Sequence, residues 1–340
     1  MAEPGLAVET VPLPASVTSV EATSRGSFDG TGAYVFTDNG AFLAIPCPNE
    51  NGGWCVDATE PTPVEAAPTV DGFDPLPDGR ITSTFEGELL VSAWLAAPTD
   101  RYAHAVLGDG IEAGALVCSV QPADDPASAV TIAEPLADGS VYEDIGPRVA
   151  DLDADGAAEV VTIRSDASGG ASLAVHRAVV ARSPDTTGLR CPLIARTPPI
   201  GTANRWLNPA AIHDFDGDGV LDVALVETPH IGGELQLWSG ASLLAGGPVM
   251  LAARRGYSNH AIGSRALDLA EVVRIDGSDA LVLPDATRRA LVAVRYADGE
   301  WVEIARADLP ARALSGIAAV GRDLAVGLDD GTLARVVIAE

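Results

Sequence analysis

The chain has 340 residues, 47% of them apolar and only 5% aromatic, so a core must be built from Ala, Val, Leu and Ile. Its formal net charge is −27, with 48 acids against 21 bases, every base an arginine, and no apolar run approaches the length of about 20 residues that spans a bilayer. Such a surface repels DNA, RNA and anionic membranes, which need a basic patch, and it suits divalent cations, although a high-salt habitat or a GC-rich genome would leave the same acidic, lysine-free signature.

Residues 1–14, MAEPGLAVETVPLP, have neither a basic n-region nor an apolar h-region, so they carry no export signal. They read as an N-terminal extension, and AEP after Met1 suits a mature N-terminus with an initiator methionine added. SFDGTGAYVF from Ser27 opens the first of six related units. Cys47 and Cys55 bracket the polar loop CPNENGGWC, and the interval 56–80 is rich in Pro and Asp. TFEGELLVSAW from Thr84 opens the second unit. Cys118 lies in a strand-like segment, and 121–143 is again Pro- and Asp-rich; both intervals read as insertions between repeats.

The third and fourth units, 145–180 and 205–240, are the best formed. PRVADLDADGAAEVVTIR and PAAIHDFDGDGVLDVALVE share D-x-D-x-D-G-x-x-(D/E)-V without gaps, 63 residues apart. Each runs on into a turn and a second strand, ASLAVHRAVV and GELQLWSG. Cys191 follows the third unit. RIDGSDALVLPD from Arg274 and GRDLAVGLDDGTLARVVI near the C-terminus open the last two units. The apolar segments alternate with period two, and no convincing helix stands out.

Repeats of this kind, mostly about 45–65 residues apart, with Gly, Asp or Pro at their turns, predict an all-β chain. The best fit is one β-propeller domain over 1–340, built of four-stranded antiparallel blades, six or seven in number, since radial closure protects strand edges. Two tandem β-sandwiches are the alternative. The four cysteines favour disulfides and an oxidising compartment, with Cys47–Cys55 and Cys118–Cys191 preferred among the three pairings; four free buried thiols are the alternative.

The acids of the third and fourth units have a chemical reading. Ca2+ takes six to eight oxygens, and a loop supplies them from alternate positions before a sharp glycine turn. The expected ligands are Asp151, Asp153, Asp155, the Ala157 carbonyl and Glu159, then Asp214, Asp216, Asp218, the Val220 carbonyl and Asp222. Magnesium prefers fewer protein ligands, and zinc would want His or Cys. Four carboxylates in so short a stretch raise each other's pKa unless a counter-charge is present. Solvated acidic turns are the plainer alternative. In the Ser27 unit the matching positions read Ser27, Asp29, Thr31 and Val35, so that unit should fold without metal.

These loops resemble the FG-GAP/VCBS repeats of integrin α-chain propellers and many bacterial secreted proteins. The resemblance implies a propeller with calcium in loops at one rim. It is specific over about 145–180 and 205–240, and the Phe-Gly and Gly-Ala-Pro signatures of that family are not evident here.

None of His104, His176, His213, His230 and His260 sits in a nucleophile elbow, a Walker loop or an H-E-x-x-H motif. Arg205, Trp206, His230, Tyr257, Asn259 and His260 crowd the loops beside the fourth unit and are candidates for a ligand-facing surface; inter-blade packing is the other reading of the same residues. The expected function is a non-enzymatic, calcium-binding module for a protein or glycan partner, monomeric and periplasmic or secreted. The alternative is a propeller hydrolase or lyase using His230 and His260 in a central funnel.

Overall fold

A computed structural model describes residues 5–13, 15–22, 32–38, 40–47, 54–60, 66–137, 139–183 and 186–338. Most strands fall into six successive runs of four, each antiparallel, and Val179–Ser183 pairs with Thr186–Arg190 as a separate two-stranded sheet. The first run is Val17–Ala22, Ala33–Thr37, Gly40–Pro46 and Trp54–Thr59. The second is Thr82–Glu86, Leu89–Thr99, Glu112–Pro122 and Val130–Pro135, and the third is Arg148–Ala150, Glu159–Asp166, Gly170–Arg177 and Leu193–Arg196. The short strand Ser140–Tyr142 pairs with members of both and joins them into one nine-stranded sheet. Leu207–His213, Asp222–Glu227, Glu234–Trp238 and Met250–Arg255 make the fourth run; Glu271–Ile275, Ser278–Pro284, Ala290–Ala297 and Glu300–Asp308 make the fifth. The sixth takes Ala313–Val320, Asp323–Leu328 and Leu333–Ile338, and its outer edge is Leu6–Val11, in register from Leu6 opposite Ile338 to Val11 opposite Leu333.

Burial explains why these runs stand side by side. Middle strands such as Glu159–Asp166 and Gly170–Arg177 are buried along almost their whole length, on both faces, whereas the outer strand Glu300–Asp308 alternates buried and exposed. A strand apolar on both faces needs a partner layer on each side. Apolar clusters accordingly join the second run to the third, the third to the fourth, the fourth to the fifth, the fifth to the sixth, and the sixth to the first. Between the first and second runs Arg80 reaches Glu21 at 3.4 Å and Asp268, ahead of the fifth run, at 3.5 Å. The first strand of every run contributes to the wall of one cavity of about 1770 Å³. Sheets packed face to face around a common cavity, first strand inward, form a β-propeller.

Three details depart from the sequence expectations. Part of the supposed N-terminal extension is the strand Leu6–Val11, because the last run lacks a fourth strand of its own. The interval 121–143 holds the strands Val130–Pro135 and Ser140–Tyr142, so much of it belongs to the sheet. Among the described residues one short α-helix, Gly240–Leu244, is capped by Ser239, whose hydroxyl accepts the Ser242 N–H; five residues are too few to print a helical period on the sequence. Among the described residues no helix is long and apolar enough to cross a membrane.

Both preferred disulfides are formed. Cys47–Cys55 staples the last hairpin of the first run. Cys118–Cys191 spans 73 residues and ties the second run to the third through two fully buried sulfurs. Replacing Cys118 and Cys191 together by alanine is expected to cost about 2–4 kcal/mol of unfolding free energy in a denaturant titration. A thiol assay on the denatured, unreduced chain should detect no free cysteine.

Candidate functional site

Five of the six sequence units begin at one place in the architecture, around the turn between the first and second strand of a run. In the second, fifth and sixth runs that turn is a two-residue hairpin: Gly87 and Glu88, Asp276 and Gly277, Gly321 and Arg322. In the third and fourth runs it swells to eight residues, 151–158 and 214–221, and there the acids collect. The corresponding turn of the first run falls outside the described residues, and with it Ser27, Asp29 and Thr31; Val35 is a buried core residue of the second strand.

The two long turns are built alike. In each, carboxylate oxygens of three aspartates lie within 4.8 Å of one another: Asp151, Asp153 and Asp155 in one, Asp214, Asp216 and Asp218 in the other. The first aspartate gathers the backbone. Asp151 accepts the N–H groups of Asp155 (3.2 Å) and Gly156 (2.8 Å), and Asp214 accepts those of Gly217 (2.8 Å) and Gly219 (3.1 Å). The fourth and sixth positions carry positive φ in both turns, at Ala154 (56°) and Gly156 (82°), then Gly217 (78°) and Gly219 (88°). Left-handed backbone of this kind reverses the chain within the turn, and it favours glycine. The N–H of Ala157 donates to Asp155 (2.9 Å) and that of Val220 to Asp218 (2.8 Å).

Glu159 and Asp222 stand apart from the three-aspartate groups. Both are fully buried at the start of the second strand. Glu159 accepts the Leu152 N–H at 3.0 Å and pairs with Arg177; Asp222 accepts the N–H groups of Phe215 (3.2 Å) and Gly240 (3.0 Å). Burial raises both carboxyls. Asp222 is pushed up to about 6, with the charges of Asp216 and Asp218 adding to burial. Glu159 is raised by burial and drawn back by the Leu152 N–H and by Arg177. The turns also touch each other, since the Leu221 N–H donates to the Leu152 carbonyl at 2.7 Å. At the first turn Glu86, from the neighbouring hairpin, is raised by burial and then by the charge of Asp151.

Strand alternation places the second-to-third and fourth-to-first connections at the opposite end. Arg205, Trp206, His230, Tyr257, Asn259 and His260 lie in those connections, and most of them are packing residues. Trp206, Tyr257, Asn259 and His260 are buried. The Asn259 side chain donates to the Asn208 and Pro209 carbonyls, and Asn208 donates to the Asn259 and Leu267 carbonyls. Trp206 stacks parallel to His230 and donates to the Glu143 carbonyl at 2.9 Å. Half-buried Arg205 accepts the Ala171 N–H with its carbonyl at 2.8 Å.

His230 and His260 do meet, at 2.8 Å. His260 Nε2 lies 2.8 Å from the Ser264 carbonyl, which can only accept, so Nε2 carries the proton and Nδ1 accepts from His230. Burial lowers His230 to about 4, helped by Arg288 and His104, and lowers His260 to about 3, helped by His230. Both rings are therefore neutral near pH 7, and neither has a carboxylate partner among the described residues.

One acidic cluster at this end left no mark in the sequence. His104 Nδ1 meets buried Glu143 at 2.5 Å, and the Ser165 hydroxyl donates to the same carboxylate. Glu112 is buried nearby, with one oxygen lacking a hydrogen-bond partner. Burial, then the charges of Glu143 and Asp109, push Glu112 up to about 9. The folded chain thus holds this proton far above the ordinary value of 4.5, so stability is intact below that pH and is lost as pH rises towards 9. Glu112→Gln should match the wild-type melting temperature near pH 4.5 and exceed it by several degrees near about pH 8.5. An equal melting temperature at both pH values would mean that Glu112 does not hold its proton.

No family model and no curated protein matches the sequence. Solved structures with a similar chain course include the β-propeller domain of Cps50 (Swd1) from Myceliophteria thermophila, at 11% identity and TM-score 0.47, covering 97% of this chain and 98% of that one. An auxiliary nutrient binding protein from Bacteroides thetaiotaomicron has 10% identity and TM-score 0.42, covering 96% of this chain and 70% of its own. A luciferin-regenerating enzyme has 9% identity and TM-score 0.39, covering 98% and 95%. At such distances the assignment of the fold rests on the sheets and the cavity described above.

Proposed function

We propose that the chain is a calcium-binding, six-bladed β-propeller of FG-GAP/VCBS type, acting as a non-enzymatic binding module for a protein or glycan partner outside the cytoplasm. The observation that carries the calcium reading is the pair of eight-residue turns, each with three aspartates converging within 4.8 Å. The donor set suits a hard cation: oxygen alone, with neither His nor Cys in either group. One oxygen of Asp153 is buried and has no hydrogen-bond partner, a deficit that an ion would make good. Asp151, Asp153 and Asp155 would hold one ion and Asp214, Asp216 and Asp218 the other, with the Ala157 and Val220 carbonyls completing the shells and Glu159 and Asp222 bracing the loops. The ions would supply counter-charge, and no reaction step is assigned to them.

The choice of six blades over seven is supported by six first strands lining one cavity, with Leu6–Val11 completing the last sheet. Two disulfides accord with an extracytoplasmic setting. A partner surface is best sought at the end away from the acidic turns. Ile231, Ile262 and Ile111 are exposed there by 61, 70 and 41%, on loops held together by the His230–His260 contact and by the Gly263 N–H to Val106 carbonyl bond.

Calorimetric titration of EDTA-stripped protein should count two calcium ions per chain and find a higher melting temperature with the ion. Free calcium near 100 times the dissociation constant would add about 2.7 kcal/mol of stability. The double substitution Asp216→Ala with Asp218→Ala should remove one ion and part of the thermal gain. Absence of binding at millimolar calcium would reduce both turns to solvated acidic loops and sink the reading.

A further inference from the structure

We infer that Arg177 is a built-in counter-ion of the first acidic turn, so that the two turns are unequal cation sites and the second, Asp214–Asp216–Asp218, fills first. This inference rests on the calcium reading above. Arg177 ends the strand Gly170–Arg177, directly opposite Glu159 in the hairpin register. From there its guanidinium spans two acids of the turn and the acid that follows it. Nη2 lies 3.5 Å from Asp153, Nη1 lies 3.5 Å from Asp155, and Nε donates to Glu159. Two of these are members of the three-aspartate group that would hold an ion. A cation entering the first turn must share Asp153 and Asp155 with the guanidinium or displace it.

The second turn has no such residue. Val223 pairs with Trp238, so Ser239 falls where Arg177 stands in the first turn, opposite Asp222. Ser239 is already committed to capping the helix Gly240–Leu244. Among the described residues no arginine makes an ion pair with Asp214, Asp216, Asp218 or Asp222. The like charges of the second turn therefore meet backbone N–H groups but no arginine. Glu86 adds an acid beside Asp151 in the first turn, but the three Arg177 contacts to Asp153, Asp155 and Glu159 stand regardless. Two cations competing for one group of carboxylates weaken each other reciprocally. Arg177 weakens calcium at the first turn, and calcium there loosens Arg177.

The test is calcium titration of the stripped, full-length chain by calorimetry, in wild type and in three variants. Wild type should show a tighter and a weaker site. Asp216→Ala with Asp218→Ala should abolish the tighter one, and Asp153→Ala with Asp155→Ala the weaker one. Arg177→Gln, added to Asp216→Ala with Asp218→Ala, should tighten the remaining site by roughly tenfold, a common size for coupling between two ligands. The same substitution should lower the melting temperature of the calcium-free protein, because buried Glu159 loses its charged partner, and calcium should restore more of it than in wild type. Loss of the tighter site from Asp153→Ala with Asp155→Ala, or an affinity unmoved by Arg177→Gln, overturns the inference while leaving calcium binding intact. Should Arg177→Gln fail to fold, the two aspartate double variants decide alone. No binding in wild type removes the calcium reading and this inference together.

Discussion

A sheet whose two middle strands are apolar on both faces has no stable place at a surface, and this constraint organises the molecule. Glu159–Asp166 and Gly170–Arg177 bury nearly every residue, and Ala290–Ala297 buries its first five. Each such sheet needs a neighbour on either side. A linear stack would leave two end faces open, whereas a radial one leaves none. Apolar clusters meet that need between successive runs from the second to the sixth and from the sixth back to the first, while Arg80 bridges towards Glu21 between the first run and the second. The strand Leu6–Val11 belongs to the same logic. It covers the edge of Leu333–Ile338 and brings Leu6 and Val8 onto the cluster shared by the fifth and sixth runs.

Radial packing then sorts the chain's remaining chemistry by position. First strands face the cavity, outer strands face water, and the turns divide between two ends. The strand pattern alone does not choose where acids go; turn length does. A two-residue hairpin such as Asp276–Gly277 has no room to bring three side chains together, while eight residues with two left-handed positions curl back on themselves. Acids occupy one end in this way. The imidazoles of His104, His230 and His260, Trp206 and a buried acid cluster occupy the other, where connections cross from run to run and several polar tips bond to backbone.

Local signals were legible in the sequence, and distant ones were not. The six units, the period-two strands and the acidic turns are all written within a few dozen consecutive residues, and each unit whose turn is described maps to the same turn of its run. The Cys47–Cys55 hairpin could be seen for the same reason. Leu6–Val11 was hidden because its partner strand lies at the other end of the chain. His104 and Glu143 are 39 residues apart and match no motif, so nothing announced their contact. Arg177 was invisible as a partner of Glu159 until the hairpin register placed the two side by side. Trp206, Tyr257, Asn259 and His260 have the composition of a binding surface, but composition does not say which way a side chain faces, and all four point into packing.

The division of labour within each acidic turn follows from burial. Glu159 and Asp222 are the costly acids, since a fully buried carboxylate must have its lone pairs satisfied. They are satisfied by the protein itself: Leu152 N–H and Arg177 for one, Phe215 N–H and Gly240 N–H for the other. Both thereby fix the second residue of their own turn, and Asp222 also fixes the start of the helix Gly240–Leu244. The entry to each turn is held in place by groups that need no ion. The outer aspartates are in a different position. They are more exposed, Asp151 and Asp214 accept backbone N–H groups of their own turn, and Arg177 offsets the repulsion only in the first turn. A propeller built this way anchors the entry to each acidic turn through the protein's own N–H groups and Arg177, and leaves its exposed like charges at the rim.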